Sequence, residues 1–349
     1  MTMQNYSTVA SRNLIRAEKG MLKNADKIIV LGKTGQQYEQ PKNMTDTLVF
    51  RRLQPFGAVQ AANPAAGFSG TPDIAASNFI LSEGITPTAN TISYVDISAT
   101  LQNYGVLFKY TSKTQLMYED DVPADMQKLV GSTLAEVLEM VRYGQYKAGT
   151  SVIYANGSSR SAVNTVISLD KLRVATRAME SNRARQITEV LAPGTKYDTS
   201  PIESGFIVYM STDGSANVRN LPNFKPAVNY SSGAVMEREL GACEEFRFIV
   251  SPLLKPFADA GAAIAGTTVK STTGTLADVY PMIVCAEDAW GSVALKGMGA
   301  IKPVIISANE RNHANPSGLF GYVGADTWFT AVRTNENWMT RIEVAVSAL

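Results

Sequence analysis

Histidine is nearly absent from this chain and cysteine almost as scarce: His313 stands alone, and Cys243 and Cys285 lie 42 positions apart. Neither cysteine belongs to a C-x-x-C pair, so a structural zinc site is excluded. A thiol nucleophile needs a base. The single imidazole sits in the turn-like stretch Asn312-His313-Ala314-Asn315-Pro316, with no Gly-x-Ser-x-Gly elbow to serve. Both cysteines are therefore read as small buried hydrophobes. Charge is sparse as well, at 18% of residues, which suggests that much of the surface ends against other protein. The net charge of +1 offers no long-range pull on nucleic acid or anionic lipid. No apolar run approaches the ~18 residues that cross a bilayer. Residues 1–12 are polar, without the apolar core of a signal peptide. The expectation is a protein made inside a cell, with no membrane partner.

What is present is enough to fold. With 349 residues, 45% of them apolar, the chain can bury one large core or two modest ones. Its first 52 residues hold the clearest charge asymmetry: Arg12, Arg16, Lys19, Lys23, Lys27, Lys33, Lys42, Arg51 and Arg52 against Glu18, Asp26, Glu39 and Asp46, nine minus four, or +5. Two readings stay open, a solvated terminus or an arm that lies on a neighbouring subunit or faces packaged nucleic acid. Residues 47–53 alternate like a strand, as do 91–101 and 106–110. Between them runs a stretch rich in Pro, Gly and Ala, with Pro55, Gly57, Pro64, Gly67, Gly70, Pro72, Gly84 and Pro87. Loops of that length are rare inside compact domains, and a protruding hairpin ordered by a neighbouring chain accounts for it. Residues 53–108 contain Asp73, Glu83 and Asp96 but no lysine or arginine, or −3. Attraction between this loop and the arm, or the Arg51-Arg52 pair, of another subunit is expected.

The strongest helical signal covers residues 123–147. Met126, Leu129, Val130, Leu134, Val137, Leu138 and Val141 line one face at 3.6-residue spacing, with Asp120, Asp121 and Pro123 at the start. A second helix is expected at 168–182, with Leu169, Leu172, Ala175 and Met179 inward, Lys171, Arg173 and Arg177 outward and Ser168 as N-cap. Strands are expected at 205–211, 246–250, 280–285, 304–307, 328–333 and 339–346. Helices and strands without regular βαβ alternation indicate an α+β class.

Three features invite a catalytic reading and fail it. Gly32-Lys33-Thr34-Gly35 matches the end of a phosphate-binding loop, but the required glycine five positions earlier is Lys27. Glu119-Asp120-Asp121 is explained by a helix N-terminus, and Glu244-Glu245 has no partner residues to focus it. Trp290, Trp328 and Trp338 lie in strand-like contexts that favour core packing over base stacking. No catalytic, cofactor-binding or metal-ligating residue is assigned, and the chain is not expected to be an enzyme.

In order along the chain come Thr47-Leu48-Val49-Phe50-Arg51-Arg52, Glu83-Gly84-Ile85-Thr86-Pro87, Gln102-Asn103-Tyr104-Gly105, Asn315-Pro316-Ser317-Gly318-Leu319-Phe320-Gly321-Tyr322-Val323-Gly324, Trp328-Phe329-Thr330-Ala331 and Trp338-Met339-Thr340-Arg341-Ile342-Glu343-Val344. Together they resemble the major capsid proteins of tailed phages with the Hong Kong phage (HK-97-like) fold, and within them the coliphage N-four-type group. The resemblance spans about residues 45–346. It implies an N-terminal arm (1–46), an extended β-hairpin loop (47–112), a peripheral domain with a long spine helix (113–160), an axial domain (161–300) and strands returning to the peripheral domain (301–349). It also implies self-assembly into pentamers and hexamers of an icosahedral virion head. Its implied partners are a portal, a scaffolding protein, a cementing or decoration protein, and packaged double-stranded DNA held without sequence preference. An encapsulin-type bacterial nanocompartment shares that fold and is the alternative. The namesake shell is locked by a loop lysine bonded to a neighbour's asparagine. With no lysine in residues 53–108, no such crosslink is expected.

Overall fold

The computed structural model describes residues 30–53, 76–87, 89–118, 121–191, 199–230, 235–264, 268–296, 304–311, 313 and 315–348. Arg12, Arg16, Lys19, Lys23 and Lys27 of the arm, the loop residues from Pro55 to Asp73, and Glu119 and Asp120 lie outside them.

From its described start the chain forms β1 (Gln36–Gln40), β2 (Thr47–Leu53), β3 (Tyr94–Thr100), β4 (Gln102–Thr111), a short α1 (Ser112–Met117) and the long α2 (Val122–Lys147). Then follow β5 (Val152–Tyr154), α3 (Leu169–Ser181), β6 (Ile187–Leu191), β7 (Thr199–Ser211), α4 (Ser215–Arg219), β8 (Lys225–Pro226), β9 (Glu239–Cys243) and β10 (Phe246–Ser251). β11 (Tyr280–Cys285), β12 (Trp290–Leu295), β13 (Val304–Ile306), β14 (Phe320–Arg333) and β15 (Met339–Val344) complete the order. The architecture is mixed α and β, as the sequence pattern predicts.

Among the described residues three sheets form. One has five strands, in the order β1-β12-β14-β13 with β4 paired along β14. Another has eight, in the order β5-β15-β11-β7-β10-β9-β8 with β6 on β7. β2 and β3 make an antiparallel ladder of their own.

α2 starts where Asp121 accepts the Ala124 N–H at 3.2 Å, carries Pro123 in its first turn and ends on Lys147. Its 26 residues reach about 39 Å at 1.5 Å per residue. Val130 and Leu134 bury against Tyr110 and Val323, and Leu138 against Phe329. The buried row then turns toward Glu139, Tyr143 and Tyr146. Rows built on i+4 steps wind around a 3.6-residue helix, so the two ends face different partners. The first half covers the five-stranded sheet, and the last two turns join Ile207, Tyr209, Ile283 and Trp290. Leu129, expected inward, is 45% exposed for the same reason.

α3 buries Leu172, Ala175 and Met179 against the eight-stranded sheet. Ser168 occupies the N-cap position in extended backbone, but its side chain makes no capping bond, which corrects that expectation. Its backbone carbonyl instead takes the Lys171 and Leu172 N–H groups.

Two glycines in β14 allow the five-stranded sheet to close up. A Cβ on Gly321 would stand 2.5 Å from the Tyr110 ring and 2.6 Å from the Ile306 carbonyl oxygen, and one on Gly324 2.9 Å from Leu107. Ahead of them Asn315, 4% exposed, holds the turn. It donates to the carbonyls of Ala308, Glu310 and Phe320 and accepts the Leu319 N–H at 2.8 Å. These contacts account for the Asn315 to Gly324 stretch.

Candidate assembly surface

β14 alternates strictly, with its odd-numbered residues from Gly321 to Ala331 buried beneath α2 and its even-numbered ones turned the other way. That second face is covered over only part of its length. At the β12 end, Leu48, Phe50 and Ala99 of the β2–β3 hairpin pack with Tyr38, Val293, Leu295, Trp328 and Val332. The Tyr38 and Phe50 rings meet edge to face at 4.7 Å. The base of the hairpin is thus seated on its own body, a correction to the picture of a loop held only by a neighbour.

The Arg51-Arg52 pair is engaged within the chain too. Arg51 grips Asp96 with two bonds of 2.8 Å across the hairpin, and this pairing holds the Asp96 carboxyl below its usual range. Arg52 donates to the Thr334 carbonyl at 2.7 Å. The expected attraction of this pair to another subunit's loop therefore has an intrachain competitor in Asp96. The hairpin's short cross-strand separation favours it, because a neighbour's carboxylate must first be brought to the same place.

Among the described residues, two groups of exposed apolar side chains stand on or beside these strands. On the hairpin and the chain it carries, Val49, Leu53, Ile80, Leu81, Ile85 and Ile92 are 53–75% exposed. On the sheet, Val304 and Leu107 flank Gly324 in register and Ile306 flanks Tyr322, at 61, 62 and 38% exposure. Lys109 lies 3.7 Å over the Phe320 ring at the edge of this patch. Scattered surface hydrophobes are ordinary, whereas contiguous ones mark contact sites. The alternation of β2 and β4 carries this signal in the sequence, but which face stays bare depends on where the hairpin lands.

The other candidate residues have structural employment. Lys33 pairs with Glu237, Thr34 and Tyr209 share a hydroxyl bond of 2.6 Å, and Gly35, at φ +102°, lies against the Trp290 ring. Cys243 and Cys285 are free and buried, and burial pushes both thiols up. Trp290 is buried and Trp338 packs at the edge of two clusters. Glu244 pairs with Arg173 at 2.6 Å. Among the described residues no group of three His, Cys, Asp or Glu side chains could hold a metal ion.

Buried carboxylates are what the sequence reading missed. Glu139 has no exposed surface, accepts the Val30 and Leu31 N–H groups at 2.7 Å each and faces Arg142 at 3.5 Å. Burial pushes its carboxyl up, against the pull of those donors. A carboxyl raised in the folded state contributes stability below its unfolded range and loses it as pH rises through the folded value. Glu139→Gln, neutral at every pH, is expected to gain on the wild type as pH rises from about 4 to neutrality. A melting-temperature difference between the two that stays flat across that interval would rule this out.

The chain is similar in fold to several solved phage structures over most of its length. It matches the cyanophage Pam1 capsid asymmetric unit with a TM-score of 0.58 and 11% identity, over 100% of this chain and 97% of that one. The capsid of Ralstonia phage GP4 gives 0.55 and 11%, over 97% and 99%. The capsid of cyanophage P-SCSP1u gives 0.54 and 13%, over 91% and 89%. The fold is that of phage capsid chains. No protein-family model and no curated protein matches the sequence.

Proposed function

We propose that this chain is the major capsid protein of a tailed phage, of the coliphage N-four-type group, and that copies of it form pentamers and hexamers of an icosahedral head around double-stranded DNA. The observation that supports this reading is the correspondence with phage capsid chains over nearly the whole length of both. The two open apolar regions agree with it. A hairpin bearing bare Ile80, Leu81 and Ile85, and a sheet bearing bare Leu107 and Val304, are different surfaces that both require cover. A contact between unlike patches repeats head to tail and closes into a ring where its rotation permits, so the proposed occupant of the sheet patch is the hairpin of a second copy.

In this reading residues 1–46 are the arm, 47–112 the extended loop, 113–160 the peripheral domain with its spine helix, 161–300 the axial domain and 301–349 the returning strands. The head assembles in the host cytoplasm with a scaffolding protein and a portal, and a cementing protein reinforces it. Purified particles examined by electron microscopy, with a nuclease-protection assay on their contents, test the reading. Protected double-stranded DNA in icosahedral particles is the expected result. A particle filled with a protein cargo would point to the encapsulin alternative, and a chain that stays monomeric under all assembly conditions would end both readings.

Since residues 53–108 contain no lysine, the loop cannot supply the amine of a covalent crosslink, and shell strength is expected from non-covalent contacts or from a separate cementing protein. Particles boiled in detergent are expected to run as a single monomer band, and a ladder of covalent multimers would contradict this.

A further inference from the structure

Residues 30–40 hold to the body almost entirely through distant parts of the chain. The Val30 and Leu31 N–H groups go to Glu139, 109 and 108 positions away, and Tyr146 donates to the Leu31 carbonyl at 3.2 Å. Thr34 bonds to Tyr209, and Lys33 to Glu237. β1 lies parallel to β12 over five residues and, among the described residues, pairs with no other strand. It stands at the end of its sheet, so its departure breaks no other ladder. The slot it fills is built for occupancy. Val30 and Leu31 have no exposed surface, and Glu139, Tyr146 and Tyr209 beneath them are at most 1% exposed. Arg142 reaches over the segment, its guanidinium carbon 3.1 Å from where a Gly32 Cβ would stand. Glycine at 32 and 35 thus lets a flat segment slide between the guanidinium on one side and the Trp290 ring on the other.

We infer that residues 30–40 form a strap that seats and unseats as one unit on an otherwise finished body, with Glu139 of the spine helix as its latch. Seated, the strap packs Val30 and Leu31 against the last turns of α2 and clamps that half of the helix between the two larger sheets. Unseated, it exposes a carboxylate and two phenol hydroxyls to water and frees those turns to shift, while β7, β11 and β15 stay paired. Edge elements tied by a few long-range bonds are the units that open below the global unfolding energy. The strap is a conformational device of the chain itself, and the inference stands whether or not the chain builds a shell.

Amide hydrogen exchange of the full chain, followed by mass spectrometry, tests it. In the wild type, peptides covering 30–40 are expected to exchange at least tenfold faster than those covering 206–211 and 280–285. Glu139→Ala and Gly35→Val are each expected to speed the strap a further tenfold or more and leave those core peptides unchanged. Glu139→Gln, whose amide oxygen still accepts both N–H groups, is expected to keep wild-type protection. Strap and core exchanging together in the wild type, or both Glu139 variants behaving alike, would overturn the inference. So would acceleration of the core along with the strap in Glu139→Ala. If Gly35→Val does not fold, the wild-type rates and the Ala and Gln pair still decide.

Discussion

Glu343→Ala is expected to lower the unfolding free energy by about 3–5 kcal/mol, the usual cost of stripping one partner from a buried ion pair. Glu343 has no exposed surface and sits on β15, between β5 and β11. Its two oxygens take both arms of Arg160, at 2.7 and 2.8 Å, and it also pairs with Arg341 at 2.8 Å. The Arg160 guanidinium lies 3.5 Å over the Phe257 ring, and Lys147 stands 4.8 Å from the same ring. Without the carboxylate, three cations crowd one aromatic ring, and Arg341, with 9% of its side chain exposed, has lost its counter-charge. Glu343→Gln keeps the shape and one acceptor, so it is expected to cost less than Ala. The measurement is the urea midpoint at constant slope. A loss below about 1 kcal/mol, the value of an exposed pair, would show that the cluster stays solvated.

Val304→Asp combined with Ile306→Asp is expected to do the opposite: leave the chain folded and abolish assembly. Both side chains stand on the bare face of β13, and substitutions at such positions usually move stability by less than about 0.5 kcal/mol. At a closed contact each carboxylate must be desolvated without a partner, which costs several kcal/mol. Every copy in a shell pays this, so the yield of particles is expected to fall by at least tenfold while the melting temperature of the free chain stays put. Ile80→Asp with Ile85→Asp on the hairpin is expected to give the same phenotype. If the two patches meet, combining all four changes adds little to either pair. Normal particle yield from either double variant would remove the proposed hairpin-to-sheet contact, and full additivity would place the two patches in separate contacts.

Much of this architecture was legible in advance wherever the signal was local. The spacing of Val130, Leu134 and Leu138, with Asp121 and Pro123 ahead of them, placed the long helix to within a residue of Val122–Lys147. The alternation of residues 47–53 placed β2, and the apolar run at 280–285 placed β11. The proposed function entered differently, through the order of short stretches, and Gly321 and Asn315 within them have packing reasons that only the folded contacts display.

The failures are just as particular. Leu129 carries the same period as its neighbours yet faces outward, because helical rows wind around the axis and the buried row passes through Val130 and Leu134 instead. Arg51 and Arg52 read as free cations until Asp96 and the Thr334 carbonyl meet them. Glu139 lies off the apolar stripe and looks like a solvated acid. Its partners come from Val30 and Leu31, more than a hundred positions away.

Periodicity is a property of neighbouring residues, so the α+β class and the long helix were legible in the sequence alone. Which half of the outer sheet face stays bare, where the hairpin rests and which acids go under were decided only by the tertiary structure. Covering an apolar face or neutralising a buried charge depends on segments that meet in space, and spacing along the chain carries no information about who arrives.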